Sequence, residues 1–313
     1  MVQEVGLTMR SLQNAKVLVT GAGGFLASYI IPELLDRGAE VIGIDLKDAL
    51  DNGNLNSVKS KLKLIEADIT NLSELERVGV NCDYVVHLAA IGAPALCDRD
   101  PAKAFLTNVQ GTFNVLKFST RKSVKRLLFS SSAHVYGISP KYVPTDERHP
   151  LALQDIYTTT KVIGESLCQL FYSNHNLEYI TTRLFNSYGP RQSTDYFIPA
   201  MISKAKKGRI ELRDRHVTKD FVYVDDVAEV FVKALTSEYV GEINIGSGVQ
   251  TKLQDVAKYI ADAFKAELIF SNVETGGPTH MQCDTTRASG ILGWKAVTPI
   301  KEGLDKTIAA LKR

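Results

Sequence analysis

The stretch KVLVTGAGGFLASYIIPELL, residues 16–35, decides how the chain folds. KVLVT is short and nearly all aliphatic or β-branched, as expected of a strand buried on both faces. A glycine-rich turn follows, and then a run with helical character. Gly21, Gly24 and Ala27 stand at G-x-x-G-x-x-A spacing. The first glycine permits a tight turn, the next lets the backbone approach a diphosphate, and the small residue lets helix and strand pack closely. Free N–H groups and the dipole at the helix start then favour an anion. A second strand, EVIGID, ends at Asp45. A carboxylate at that distance from the glycines accepts hydrogen bonds from ribose hydroxyls and repels a 2′-phosphate. The expected cofactor is therefore NAD rather than NADP, although Lys47 weakens that preference.

Outward from this unit the pattern repeats. Strands are expected at 16–20, 40–45, 62–69, 83–90, 126–132 and 178–185. Helices are expected near 26–37, 71–78, 101–122, 157–174 and 196–207. Strands alternating with helices imply βαβ units and a parallel sheet. The fold class is α/β: a Rossmann-type doubly wound parallel sheet with a smaller, interleaved C-terminal lobe. The dinucleotide-binding domain is placed at 14–185, with segments from about 215–245 returning to it. Residues 186–313 mainly form a substrate-binding lobe, in which Asp225 or Asp226 is expected to cap a helix over 225–236. Residues 1–13 are read as a flexible extension.

Composition narrows the function. The chain has 313 residues, a net charge of +2, 44% hydrophobic and 23% charged residues. Charge this mild and scattered argues against nucleic acid as a partner. No apolar run approaches the length of a membrane span, and the N-terminus lacks the apolar core of a signal peptide. Cys82, Cys97, Cys168 and Cys283 are too widely spaced for a zinc site or a disulfide framework. Free thiols imply a reducing compartment, and the cytoplasm is the expected location.

Two further segments carry chemistry. FSSSAHVYG follows the fifth strand, so Ser130, Ser131 and Ser132 approach the carboxyl edge of the sheet, where ligands of open α/β sheets lie. YTTTK opens the next helix and places Tyr157 and Lys161 one turn apart on one face. A tyrosine is a poor base at neutral pH; a neighbouring ammonium favours its phenolate, and so would the positive nicotinamide ring of an oxidised cofactor. The phenolate then takes a proton from an alcohol while hydride leaves the same carbon, and a serine hydroxyl holds the oxygen. Such a Tyr–Lys pair alone is common on helices and proves little. Three threonines are poor helix formers, so packing is expected to hold this helix start in order to present Tyr157 and Lys161.

The motifs TGAGGFLA, HLAA, FSSSAHVYG, YTTTK, TRLFNSYGPRQ, KDFVYVDDVA, NIGSG and ILGWKAVTPIKEGL occur in one order from about residue 14 onward. Together they resemble the extended short-chain dehydrogenase/reductases, specifically the nucleotide-sugar epimerase/dehydratase family, with likeness to UDP-glucose 4-epimerases. The resemblance implies catalytic roles for Ser132, Tyr157 and Lys161. It implies a dinucleotide site around Gly21, Gly24, Phe25, Leu26, Asp45, Asp68, Ile69, Leu88, Ala89, Ala90 and Asn108, with Lys161 on the nicotinamide ribose. It implies a nucleotide diphosphate sugar near Ser132, Asn186, Arg191 and Lys219. It also implies a homodimer built on the helices 101–122 and 157–174.

Within that family, 4,6-dehydratases carry an acid pair just before V-Y-G. Here Ala133 and His134 stand there, which argues against a dehydratase. The expected reaction is 4-epimerisation: oxidation at C4 to a 4-keto sugar, rotation, and return of hydride to the other face. The alternative is an NADPH-dependent 4-keto reductase, against which Asp45 speaks. A third reading is a non-catalytic NAD(P)- or RNA-binding regulator, against which the complete Ser–Tyr–Lys set speaks. Two departures concern the diphosphate. Lys219 replaces a common arginine and loses its bidentate fork, and ETGGPTHMQCD lacks a second arginine. Arg191, Arg213 or Arg215 is expected to compensate.

Overall fold

The computed structural model describes residues 9–137, 139–213, 216–271 and 280–312. Its strands are β1 (Lys16–Thr20), β2 (Glu40–Asp45), β3 (Lys63–Glu66), β4 (Tyr84–His87), β5 (Arg126–Ser132), β6 (Glu178–Leu184), β7 (Asn186–Tyr188), β8 (Arg209–Leu212), β9 (Thr218–Tyr223), β10 (Gly241–Ile245), β11 (Gln250–Lys252) and β12 (Glu267–Phe270). Seven of them form one sheet in the order β10-β6-β5-β4-β1-β2-β3. Every pair in it is parallel. The order reverses between β1 and β4, so a crevice opens beyond their carboxyl ends.

Alternation along the strands feeds two cores. Val17 and Val19 point to one face, with the helices Ala27–Asp36, Val224–Thr236 and Thr286–Leu292. Leu18 points to the other, with the helices Gly111–Arg121 and Ile156–His175. The sheet is thus covered on both sides, as the unbroken apolar strands require.

After β6 the chain leaves the sheet and builds a smaller lobe. It holds the three-stranded sheet β11-β9-β7 and the pair β12-β8. Its core joins Ile198, Ile202, Ile210, Phe221, Val256, Ile260 and Leu304. The helix Val224–Thr236 and β10 then return to the main sheet, whereas β9 stays in the small lobe.

Three local outcomes differ from the sequence reading. The helix expected over 101–122 is three pieces, with a π-helical turn over Leu106–Gln110 between Pro101–Phe105 and Gly111–Arg121. Neither Asp225 nor Asp226 caps the helix it begins; Tyr223 is at the cap, with no side-chain bond. Asp226 instead accepts from the Thr298 N–H at 2.9 Å and hydroxyl at 3.1 Å, pinning the C-terminal segment. Of the expected loose extension, residues 9–13 are anchored. Arg10 donates to both carboxylate oxygens of Glu178, at 2.7 and 3.2 Å, and Leu12 is buried.

Behind β5 and β6 lies a buried ion pair. Arg183 Nη2 donates to Glu165 at 2.7 Å, and Ser131 donates to the same carboxylate at 2.6 Å. Arg183 also donates to the Tyr136 hydroxyl at 3.1 Å, which donates to Asn244 at 2.6 Å. This network ties the helix Ile156–His175 to three strands. Breaking one partner leaves a buried charge uncompensated. Glu165→Ala is expected to lose about 3–5 kcal/mol in urea unfolding; a loss below about 1 kcal/mol would show that the network does not hold the helix in place.

Candidate active site

The glycine turn lies at the point where the strand order reverses. Gly21 adopts a left-handed φ of +69°, and a Cβ on it would meet the Ala89 nitrogen at 2.7 Å. Only glycine lets this turn rest on the segment Leu88–Ala90. Among the described residues, the N–H groups of Phe25 and Leu26 have no acceptor within the chain. They precede the helix Ala27–Asp36 and suit a diphosphate. Asp45 accepts from the Gly23 N–H at 3.0 Å and the Leu46 N–H at 2.8 Å, one bond per oxygen. Each oxygen keeps a lone pair for a ribose hydroxyl. Burial raises the Asp45 carboxyl above its ordinary value, and the two backbone bonds oppose the shift.

The next wall of the crevice is Asp68 and Ile69. Asp68 accepts from the Thr70 N–H at 2.8 Å, while its own N–H donates to Glu74 at 2.9 Å. The Ile69 carbonyl accepts from Asn114 at 2.9 Å. Asn108, expected beside the cofactor, is held between two elements. Its amide both accepts from the Ile91 N–H at 2.8 Å and donates to the Ile91 carbonyl at 3.1 Å. It also donates to the Thr160 hydroxyl at 3.1 Å. Asn108 therefore braces the loop after β4 against the helix that carries Tyr157. The π turn accommodates it at this position, a common use of such bulges.

The three threonines are each held by a local hydrogen bond at the helix start. Asp155 caps the helix by accepting from the Thr158 N–H at 2.6 Å. Thr159 donates to the Asp155 carbonyl at 2.8 Å, and Thr160 to the Tyr157 carbonyl at 2.8 Å. Capping and packing, not propensity, start this helix. Tyr157 and Lys161 emerge buried on one face, beside Ser132 at the end of β5.

Lys161 Nζ donates to the Ser130 carbonyl at 2.8 Å and lies 5.8 Å from the centre of the Tyr157 ring. Burial lowers its pKa to about 8. Burial also pushes the Tyr157 phenol above its ordinary value; Tyr196 adds to the shift, and a hydrogen bond with Ser132 opposes it. Of the two charges expected to favour the phenolate, the lysine ammonium is in place beside the ring. Burial by itself thus favours the protonated phenol.

The substrate side is less fully assembled. Asn186 donates to the Asp220 carbonyl at 3.0 Å, and Asp220 in turn accepts from Ser247, Gly248 and Cys283. This fixes β9 and with it Lys219. The Lys219 ammonium is half-buried, has no hydrogen bond or ion pair among the described residues, and is lowered in pKa by desolvation. His134 stands edge-to-face with Tyr157, ring centres 5.9 Å apart. Burial, then the nearby Lys219, lowers it to about 4. Arg191 is not with these residues: it donates to Ser28 and Asn54 on the dinucleotide side. Arg213 is exposed at the end of β8. Arg215 and the stretch ETGGPT lie outside the described residues.

Two functional neighbours escaped the sequence reading. His87 is buried between the hydroxyls of Thr20 at 2.7 Å and Thr112 at 3.0 Å, beneath the crevice. A lone histidine closing an apolar strand gives no periodic signal. Tyr196 reaches Gly92, where a Cβ would meet its hydroxyl at 2.8 Å. Only its place in a turn-rich segment marked it.

Comparison with known proteins agrees with this geometry. The model of the NAD dependent epimerase/dehydratase family matches residues 17–246. The chain belongs to that family. It is 32% identical over 306 residues to a putative UDP-glucose 4-epimerase of Methanocaldococcus jannaschii, covering 95% of this chain and 98% of that one. It is 28% identical over 307 residues to UDP-glucuronic acid decarboxylase 6 of Arabidopsis thaliana, covering 93% and 87%. Among solved structures, the Thermotoga maritima UDP-glucose 4-epimerase with UDP-glucose superposes with a TM-score of 0.88 at 28% identity, covering 95% and 98%. The family's cofactor is NAD, which the glycine turn, the free N–H groups and Asp45 fit.

His87 has a measurable consequence. Burial holds it down at about 3 against an ordinary 6.5. As pH falls below 6.5 the unfolded chain takes up a proton and the folded chain does not, so stability falls. His87→Gln removes that slope: its stability relative to wild type should rise by about 2 kcal/mol between pH 7 and 5. Parallel urea curves at the two pH values would rule the effect out.

Proposed function

We propose that the chain is an NAD-dependent nucleotide-sugar 4-epimerase. The observation that carries this reading is Tyr157, Lys161 and Ser132 meeting at the carboxyl edge while Ala133 and His134 occupy the place of an acid pair. NAD, when bound, takes hydride from a sugar carbon and gives it back. The chain's own residues supply the rest. Ser132 holds the sugar C4 oxygen by hydrogen bonding. Tyr157 takes the proton of the C4 hydroxyl and later returns it to the 4-keto oxygen. Lys161 stabilises the phenolate and holds the nicotinamide ribose. Lys219 and His134 face the rest of the substrate, a nucleotide diphosphate sugar such as the UDP-glucose bound by the Thermotoga maritima relative.

With Ala133 and His134, no carboxylate stands ready for elimination at C5 and C6. Asp45, fixed by two backbone N–H groups, works against the 2′-phosphate that an NADPH-dependent reductase would need. Four buried free thiols support a reducing compartment, the cytoplasm.

A homodimer belongs to the same proposal. Phe105, Leu106, Phe113 and Leu170 are exposed apolar side chains on the segments 101–121 and 156–175. Exposed apolar surface of this kind is suited to association. Light scattering at micromolar concentration should give twice the chain mass; a monomer would remove this part of the reading.

The catalytic assignment is tested by Tyr157→Phe. NAD binding should stay near wild type while turnover falls by about a hundredfold or more, the scale of a lost general base. NMR of the products at C4, from a panel of nucleotide sugars, identifies the reaction. Turnover within a few-fold of wild type would exclude Tyr157 as the base. Net consumption of NADPH with a 4-keto sugar would exclude the epimerase.

A further inference from the structure

Arg191 follows the small lobe's first strand, yet its guanidinium is committed to the dinucleotide side. The reason begins in the sequence. Pro32 lies inside the helix Ala27–Asp36 and has no N–H, so the Ser28 carbonyl four residues earlier loses its helical donor. Arg191 Nη1 donates to that carbonyl at 3.3 Å and to the Asn54 carbonyl at 3.0 Å. The guanidinium carbon lies 4.1 Å from the centre of the Tyr29 ring, and the Tyr29 hydroxyl donates to the Pro190 carbonyl at 3.1 Å. To make these contacts Arg191 adopts a left-handed φ of +72°, a costly conformation for a residue with a side chain.

Asn54 belongs to the segment that follows β2, and that segment is fastened to the glycine turn. The amides of Asn52 and Asn54 donate to the Gly23 carbonyl at 2.8 and 2.9 Å. The Gly23 N–H is itself held by Asp45. A continuous set of contacts therefore runs from the small lobe, through Arg191, to the covering segment and the glycine turn. Among the described residues Arg191 has no acidic hydrogen-bond partner, so carbonyls and an aromatic face take up its charge.

We propose that Arg191 is a clasp that closes the small lobe over the NAD site and slows release of the dinucleotide, and that it does not bind the sugar nucleotide. The proposal rests on the reading of the glycine turn as the NAD site. A coenzyme that must receive back the hydride it has taken has to stay through the whole cycle. A clasp reaching across from the substrate lobe serves that need and leaves the sugar nucleotide free to exchange.

The test measures release directly. The protein is loaded with NADH, excess NAD is added without sugar, and the loss of bound NADH fluorescence is followed. Arg191→Ala should release NADH about tenfold faster or more, the scale of two lost hydrogen bonds from a charged group. Its affinity for UDP, measured by calorimetry with NAD saturating, should stay within about twofold. A second variant guards against misfolding. Pro32→Ala gives Ser28 a helical donor of its own, so it should speed release by about two- to threefold without lowering the melting temperature. Release at the wild-type rate in both variants overturns the clasp. A loss of UDP affinity in Arg191→Ala with unchanged release assigns the residue to the substrate instead. Failure of the wild type to bind NADH at all refutes the NAD site itself, a separate outcome.

Discussion

The site depends on a lysine ammonium buried without a carboxylate. Lys161 has a carbonyl as its hydrogen-bond partner, and burial alone lowers its pKa to about 8. An acid is close at hand: Glu165 stands one helical turn further on. Were Glu165 free, it would pair with Lys161, as residues four apart on a helix do. The structure prevents this by pairing Glu165 with Arg183 and Ser131. The ammonium field is left for Tyr157 and for whatever binds beside it. A buried ion pair that contributes little net stability thus has a second use, since it holds the Glu165 carboxylate out of a direct ion pair with Lys161.

The same economy governs the crevice floor. Gly21 lets the first turn lie against Ala89, and His87 below it joins β1 and β4 to the helix Gly111–Arg121 through two threonine hydroxyls. Kept neutral by burial, His87 adds no positive charge beneath Lys161. Asn108 fastens the loop after β4 to Thr160. The two strands that flank the reversal in order are therefore tied to the helix that bears the base. The glycine turn and Tyr157 are held by one set of hydrogen bonds.

Much of this was legible in the sequence because it is periodic or local. The βαβ alternation, the glycine spacing and Asp45 rest on short-range rules, and β1, β2 and β5 begin and end where the pattern says. What was hidden depends on long-range partners. Asp226 looks like a cap but binds Thr298, far along the chain. Arg191 is placed at the substrate by the resemblance of its motif, and its contacts with Ser28 and Asn54 have no local signal. One of its two acceptors, the Ser28 carbonyl, lacks a helical donor because of Pro32, and the other, the Asn54 carbonyl, lies far along the chain. The burial of Tyr157 depends on the elements packed over it, so the desolvation that opposes its phenolate is not visible in the local sequence.

That desolvation has a consequence for mechanism. A tyrosine held above its ordinary pKa by burial is not a standing base. It ionises only when positive charge is added near it, and an oxidised nicotinamide would add that charge. Proton transfer is thereby coupled to the redox state of the crevice. Once hydride has left the sugar, the added charge is gone and Tyr157 again favours its proton. It then holds that proton at the distance from which the 4-keto oxygen must recover it. A phenolate stabilised by lysine alone would have no such reset. Under the proposed 4-epimerase reading each turnover runs the same transfer forward and then back, so the desolvation that works against Tyr157 as a base favours it as a reversible proton store.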